Sequence, residues 1–366
     1  MLGVVPTSSP VADAVADRLL AFLDRMRIES AEYGPDAEAL LETAASTLSG
    51  GKRLRARFCH AGWSAVARLA DHDAAEPTAL WDVCAALEIF QSAALVHDDI
   101  IDNSDTRRGR PAAHRALEDS HRDAGWSGDA AAFGRSAAIL LGDLLVAWSD
   151  DLLEEAVDGH PHARAVRSHY ARMRRDVTTG QFLDIAEESA WSVNATDSHL
   201  ERALRVASLK SARYSIEQPL ALGAALAGAD DEQVDALRGF GHPVGMAFQL
   251  RDDILGVFGD AAVTGKPTGD DLREGKRTAL IALTRAELDV DTLTLVDEML
   301  GDPDLTDDQV GFLQTTIERS GALATVESMI EDYSTAADRA LDRARLDETS
   351  VAALRDLATA ATVRSA

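Results

Sequence analysis

An apolar segment that runs straight into carboxylates constrains this chain more than any other: LEIFQSAALVHDDIIDNSDTRRGRP, Leu87 to Pro111. Its first half belongs in a core, yet it ends in Asp98, Asp99, Asp102 and Asp105, followed by Arg107 and Arg108. Helical spacing of i, i+4 and i+7 predicts one shared face for Asp98, Asp102 and Asp105. Like charges placed this way destabilise a helix by a few tenths of a kcal/mol per pair. Two readings meet the conflict: a solvated, salt-bridged helix end, or a bound cation. Oxygen ligands with no nearby Cys favour Mg²⁺, which takes one or two carboxylates together with substrate phosphates.

The remaining pattern is helical. Residues 1–10, with Pro6, Ser8, Ser9 and Pro10, read as a flexible N-terminus. From Val11 an amphipathic stripe of Val15, Leu19, Phe22, Leu23 and Met26 predicts a first helix. Further helices are expected over about 37–48, from about 77 through the acidic motif, and over 135–158, 161–188, 196–227 and 230–258. Helices with ordinary loops follow after Arg277, and no alternating run of strand length stands out. Hydrophobic residues make up 46% of the chain but aromatic ones only 5%, a helix-forming balance. No Pro/Gly/Ser-rich linker interrupts it, so residues 11–366 are expected to form a single all-α domain.

A formal net charge of -26 argues against a nucleic-acid partner and against an anionic membrane surface. No run of about 18 uninterrupted apolar residues appears, which speaks against stable membrane insertion. The first residues lack a basic, then apolar, export pattern. Cys59 and Cys84 sit in apolar helical contexts and read as structural thiols of a reducing compartment. The expected localisation is cytoplasmic.

Against this acidic background the cations are concentrated. GGKRLRAR places Lys52, Arg53, Arg55 and Arg57 directly after two glycines, which suits an anion site as well as a solvated helix start. GQFLD sets Gln181 and Asp184 beside Phe182, Leu183 and Ile185; LKSA carries Lys210 and Ser211. FQLRDD repeats the acidic pair at Asp252 and Asp253, and the loop after it holds Lys266, Asp270, Asp271 and Lys276. Carboxylate pairs on two helices with separate basic clusters suit the handling of a diphosphate.

These pieces, GGKRLR, DDIID with RRG, GQFLD, KSA, FQLRDD and the GK…K loop, resemble the trans-isoprenyl diphosphate synthases of the geranylgeranyl/farnesyl type. They stand in that family's order over Gly50 to Lys276. The resemblance implies an isoprenoid-synthase-type helical bundle around a deep central cavity, usually a homodimer. It implies Mg²⁺-dependent head-to-tail condensation of isopentenyl diphosphate onto allylic diphosphates. Asp98, Asp102 and Asp252 would then ligate a set of three Mg²⁺ ions, with Asp99 supporting. Arg107, Lys210 and Lys266 would hold the allylic diphosphate. Lys52, Arg55, Arg108 and Gln91 would hold isopentenyl diphosphate, and Ser211, Gln249 and Lys276 would also bind substrate. A class I terpene cyclase would lack the GGKRLR cluster and the second acidic motif, and a non-catalytic partner subunit would have no need of the Asp pairs.

One position departs from the pattern. Gly256 stands where many relatives carry a third Asp, and Asp260, Asp270 and Asp271 are the carboxylates that could replace it. Product length is expected from the helix before the first Asp. Short-chain relatives have bulky residues where this chain has Ala93 and Ala94, and the next turn presents Phe90 and then Leu87. A turn of about 5.4 Å approximates one isoprene unit. The expected product is therefore geranylgeranyl diphosphate, with farnesyl or longer products as alternatives.

Overall fold

Ser9 starts the first helix. Its hydroxyl accepts from the Ala12 amide at 3.2 Å, and Pro10 fills the first turn, where its missing N–H costs nothing. The helix α1 thus spans Pro10–Glu29, taking in Pro10, which the sequence placed in the flexible terminus. The computed structural model describes residues 9–191, 193–259, 268–342 and 344–362. They form an all-α protein with one minimal antiparallel pairing, β1 Thr106–Arg107 with β2 Arg110–Pro111. No strand was expected there. The reason for one is local: Arg108 (φ 54°) and Gly109 (φ 71°) both adopt positive φ, the backbone of a two-residue hairpin turn.

The described residues pack as two units, 9–60 with 73–163, and 61–72 with those from 164 to 362. The first holds α1, α2 (Glu38–Leu48), the start of α3 (Leu54–Ala70), α4 (Thr78–Ile101), α5 (Ala113–Asp123) and α6 (Ala130–Val157). Its centre is α4, whose Val83, Ala86, Leu87, Ile89 and Ala93 are fully buried. Small residues let α6 lie close: Ser149 Oγ donates to the Ala86 carbonyl at 2.6 Å, and a side chain at Gly142 would run into the His97 ring. α1 closes the unit through Phe22 edge-on to Trp148, with centroids 5.7 Å apart. Cys59 and Cys84 are buried here as free thiols, and burial, then the neighbouring Cys59, pushes the Cys84 pKa well up. By length and composition α4 and α6 are apolar enough to cross a bilayer, but 72% of the α4 window is buried within the protein against 28% of the α6 window. The α6 surplus appears as exposed Ile139 and Leu140.

The second unit holds the rest of α3 and α7 (Ala163–Ala190), α8 (His199–Val206), a widened π-helical stretch (Ala207–Glu217), α9 (Gln218–Leu226) and α10 (Asp231–Phe258). It continues with α11 (Asp270–Glu274), α12 (Ala279–Ala286), α13 (Val290–Met299), α14 (Asp307–Arg319), α15 (Ala322–Leu341) and α16 (Glu348–Thr362). α10 starts with a capping box, Asp230 with Gln233. Its core face, Ala247, Leu250, Ile254 and Val257, packs with Leu280, Val296, Val310 and Val326. Glu327 of α15 grips Arg251 of α10 through two 2.6 Å bonds. The expected helix over 196–227 is divided instead, because π-type turns fill the middle.

Glycines set how closely α10 approaches that stretch. A Cβ at Gly245 would stand 2.5 Å from Ala212 Cα and 2.7 Å from its carbonyl oxygen, so only Gly fits. Gly311 in α14 has nothing within 4 Å of the same added atom. Gly245→Ala should therefore destabilise the protein by roughly 1–3 kcal/mol through overpacking. Gly311→Ala should stabilise it by up to about 1 kcal/mol through helix propensity. Urea unfolding of both variants checks the pair, and equal shifts would contradict the packing account.

Candidate active site

In the first unit the acidic motif ends α4. Asp98 and Asp99 lie in the last helical turn, and Asp102 is the C-cap, its amide donating to the Asp98 carbonyl at 2.8 Å. Asn103 then turns left-handed (φ 52°), so Asp105 leaves the helix and pairs with Arg115 at 2.8 Å. The shared face thus holds Asp98 and Asp102 but not Asp105, because the helix stops before reaching it. Asp99 is buried and takes the Arg107 guanidinium, Nε donating at 2.8 Å, while Asp98 Oδ2 lies 3.9 Å from Arg107 Nη2. One arginine is thus fixed beside the carboxylates by one of them.

The basic cluster divides by role. Arg53, counted among the anion-site cations, is instead buried in the core with φ 50°. It donates to the Leu48 carbonyl at 2.6 Å and stands 3.5 Å from Glu88, which also accepts from the Ala56 amide at 3.2 Å. Lys52 is exposed, and Arg55 and Gln91 are half-buried. Arg108 folds onto the glycine turn and donates to the Ser49 carbonyl at 3.1 Å. A Cβ at Gly51 would meet its guanidinium at 2.9 Å, so the second glycine of GGKR makes room for that arginine. Desolvation, then the Arg53, Arg107 and Arg110 charges, lower the Arg108 pKa, as expected of cations crowded where an anion would be welcome. Along α4, Ala94 stands one turn before Asp98 and is half-buried, Phe90 is buried one turn further, and Ala93 is wholly enclosed.

In the second unit Gly180 brings α7 against the π-helical stretch. A Cβ there would collide with the backbone of Leu209 and Lys210. One turn on, Asp184 Oδ2 receives Lys210 Nζ at 2.6 Å. Phe182 and Ile185 of the same motif are exposed, while Gln181 Nε2 is buried with no hydrogen-bond partner among the described residues. Gln181, Leu183 and Asp184 are half-buried, so among the side chains of GQFLD only that of Phe182 is exposed. Ser211 is half-buried beside Lys210.

On α10, Gln249 donates to Asp253 Oδ1 at 2.7 Å. Asp253 is buried, and its pKa is pushed well up by burial first, then by the charges of Asp271, Asp252 and Asp184; the Gln249 bond opposes the shift. Asp252 lies next to it, and the Asp271 carboxylate comes in from α11. Lys276 follows α11 with Nζ 3.7 Å from Glu274. Lys266 and Asp260 lie outside the described residues.

Carboxylate oxygens are the right donors for Mg²⁺, and neighbouring aspartates that repel one another gain by binding it. Among the described residues no three His, Cys, Asp or Glu side chains close around an ion by themselves.

Residues 37–315 match the family model for polyprenyl synthetase. The chain belongs to the polyprenyl synthetase family. The family's likeness extends over nearly the whole fold: a crystal structure of geranylgeranyl pyrophosphate synthase from Corynebacterium glutamicum, complexed with isoprenyl diphosphate and magnesium, is 38% identical. It superposes with a TM-score of 0.90, covering 96% of this chain and 98% of that one. A geranylgeranyl diphosphate synthase of Mycobacterium tuberculosis is 38% identical over 63% of this chain, which spans 57% of that relative's length. A geranylfarnesyl diphosphate synthase of Aeropyrum pernix is 33% identical over 78% of this chain and 81% of that protein.

The Arg53–Glu88 pair explains why the basic loop keeps its shape, and truncating one partner would leave the other charge buried. Glu88→Ala should cost about 3–5 kcal/mol. The double variant Arg53→Met/Glu88→Leu should lose much less, because both charges go together. Denaturant unfolding of the single and double variants checks this, and similar losses in both would contradict it.

Proposed function

We propose that this protein is a prenyltransferase that joins isopentenyl diphosphate head-to-tail to an allylic diphosphate in the presence of Mg²⁺. The observation that carries the reading is that each unit provides carboxylates together with cations. Asp98, Asp99 and Asp102 come with Arg107 and Arg108, and Asp184, Asp252 and Asp253 come with Lys210. Family membership and the likeness to a synthase crystallised with isoprenyl diphosphate and magnesium support it.

In this reading Asp98, Asp102 and Asp252 hold a set of three Mg²⁺ ions. When bound, Mg²⁺ neutralises charge on the departing diphosphate. Arg107, Lys210 and Lys266 bind the same group, and the pairs with Asp99 and Asp184 keep Arg107 and Lys210 aimed before substrate arrives. Lys52, Arg55, Arg108 and Gln91 take isopentenyl diphosphate, with Arg supplying paired donors and Lys a point charge. Ser211, Gln249 and Lys276 complete the polar contacts. The apolar residues ahead of Asp98 exclude water from the reacting allylic carbon.

The α4 ruler then rests on Ala94 and Phe90, since Ala93 is wholly enclosed. A small residue at 94 admits the growing tail past the first turn and Phe90 stops it at the next, giving geranylgeranyl diphosphate. Incubating isopentenyl diphosphate with dimethylallyl, geranyl and farnesyl diphosphates, with and without Mg²⁺, should give Mg²⁺-dependent elongation. Mass spectrometry should show shorter products from Ala94→Phe and longer ones from Phe90→Ala. No elongation with any primer would reject the reading, and unchanged lengths in both variants would reject the ruler alone.

Exposed Ile139 (47%) and Leu140 (63%) on α6 support a homodimer formed through that helix, because a soluble chain gains by covering such a stripe. Leu140→Asp should shift sedimentation from dimer to monomer with the fold intact by circular dichroism. A wild-type monomer, or an unshifted variant, would contradict it.

A further inference from the structure

Trp191 is the first residue after α7 and is buried in the same core cluster as Leu250, Leu280 and Val296. An apolar pocket would hold its ring equally well, yet the ring is bordered by a histidine and two cations. The His199 ring stacks on it with centroids 3.8 Å apart and planes 14° from parallel. The guanidinium carbons of Arg285 and Arg277 stand 5.0 and 5.2 Å from the Trp191 centroid.

The two arginines differ in what else holds them. Arg285 of α12 donates to Asp297 through Nε at 2.7 Å and Nη2 at 2.6 Å, and its Nη1 donates to His199 Nδ1 at 3.1 Å. That last bond needs a lone pair on Nδ1, so His199 is a neutral plate; burial and then the Arg285 charge lower its pKa in agreement. Arg277 has no such clamp on two of its nitrogens. Its Nε and Nη1 are buried and meet no hydrogen-bond partner among the described residues. Burial lowers its pKa, with the Asp297 and Glu188 charges opposing the shift. Desolvating a guanidinium is costly unless something offsets it, and a Trp face is the aromatic surface that attracts a cation most strongly. The ring is thus what fixes Arg277.

We propose that Trp191 is a positioning residue for diphosphate binding: by holding Arg277 it sets the backbone that carries Lys276. This rests on the reading of Lys276 as a substrate-binding residue under the proposed function. Lys276 and Arg277 are adjacent in the short non-helical stretch between α11 and α12, so anchoring one constrains the other. The Lys276 amide donates to the Asp271 carbonyl at 3.0 Å, and Thr278 caps α12 by accepting from the Ile281 amide at 3.4 Å. Between these ties the chain turns at Gly275 (φ 74°), and Arg277 anchors it to the core through the Trp191 ring.

The same ring joins this stretch to α7. Asp184, which receives Lys210, precedes Trp191 by seven residues, about two helical turns. Between them Glu187 takes Arg202 of α8 at 2.6 Å, and His199 opens α8. Trp191 therefore ties the stretch bearing Lys276 to the helix that holds Lys210.

Calorimetric titration of the full-length protein with inorganic pyrophosphate in the presence of Mg²⁺, alongside thermal melts, tests this through a double-variant cycle. Trp191→Leu and Arg277→Met should each weaken pyrophosphate binding by roughly 3–10-fold, the scale of a lost cation–π contact. Trp191→Phe, which keeps a ring face, should bind close to the wild type. In a Lys276→Ala background the positioned group is gone, so Trp191→Leu and Arg277→Met should change the affinity little further. Loss of stability or of net positive charge would instead persist in that background. If Trp191→Leu fails to fold, Arg277→Met and Trp191→Phe decide. Wild-type affinity in Arg277→Met, or equal losses with and without Lys276, would overturn this proposal and leave the proposed function standing. Wild-type affinity in Lys276→Ala would overturn the assignment of Lys276 as well.

Discussion

Repulsion among neighbouring carboxylates is the constraint on which the functional half of this molecule depends. Two unit charges about 4 Å apart interact by roughly 4 kcal/mol at an effective dielectric of 20. The protein nevertheless collects Asp184, Asp252, Asp253 and Asp271 in one unit and Asp98, Asp99 and Asp102 in the other. It contains the repulsion in two ways. Asp99 and Asp184 are neutralised by Arg107 and Lys210. Asp253 is driven toward its protonated form by burial and by its neighbours. Under the proposed function Asp98, Asp102 and Asp252 would hold a divalent cation.

Glycine is the means by which these charges are brought into reach. Gly180 lets α7 touch the backbone at Lys210, Gly245 lets α10 do the same at Ala212, and Gly256 admits the Asp271 carboxylate. Gly51 makes space for Arg108. In each case the missing side chain is replaced by another element's polar or backbone atoms. The cost is local conformational freedom in the unfolded chain, offset by the long apolar contacts of α4 and α10.

Much of this was legible in the sequence because it is written in local signals. The glycines before Lys52 and the apolar stripe of α1 place helices with little ambiguity. The motif residues then identify the chemistry, since few functions call for DDIID, FQLRDD and GGKRLR together. What was not legible depends on partners far along the chain. Asp105 matched the helical spacing, but Asn103 turns the backbone away before it. Arg53 looked like its neighbours and is instead tied to Glu88. Phe182 and Ile185 are apolar and are nevertheless exposed. The approach of the Asp271 carboxylate to Gly256 was also hidden, because no local pattern joins positions 256 and 271.

The central claim is that the carboxylates of the two acidic motifs bind divalent metal together with diphosphate. Crystals of the full-length protein grown with Mn²⁺ in place of Mg²⁺ and with inorganic pyrophosphate test it directly through anomalous scattering. The account predicts Mn²⁺ peaks against the oxygens of Asp98 and Asp102 and against Asp252. Well-ordered crystals with those side chains resolved and no anomalous peak at either motif would contradict it.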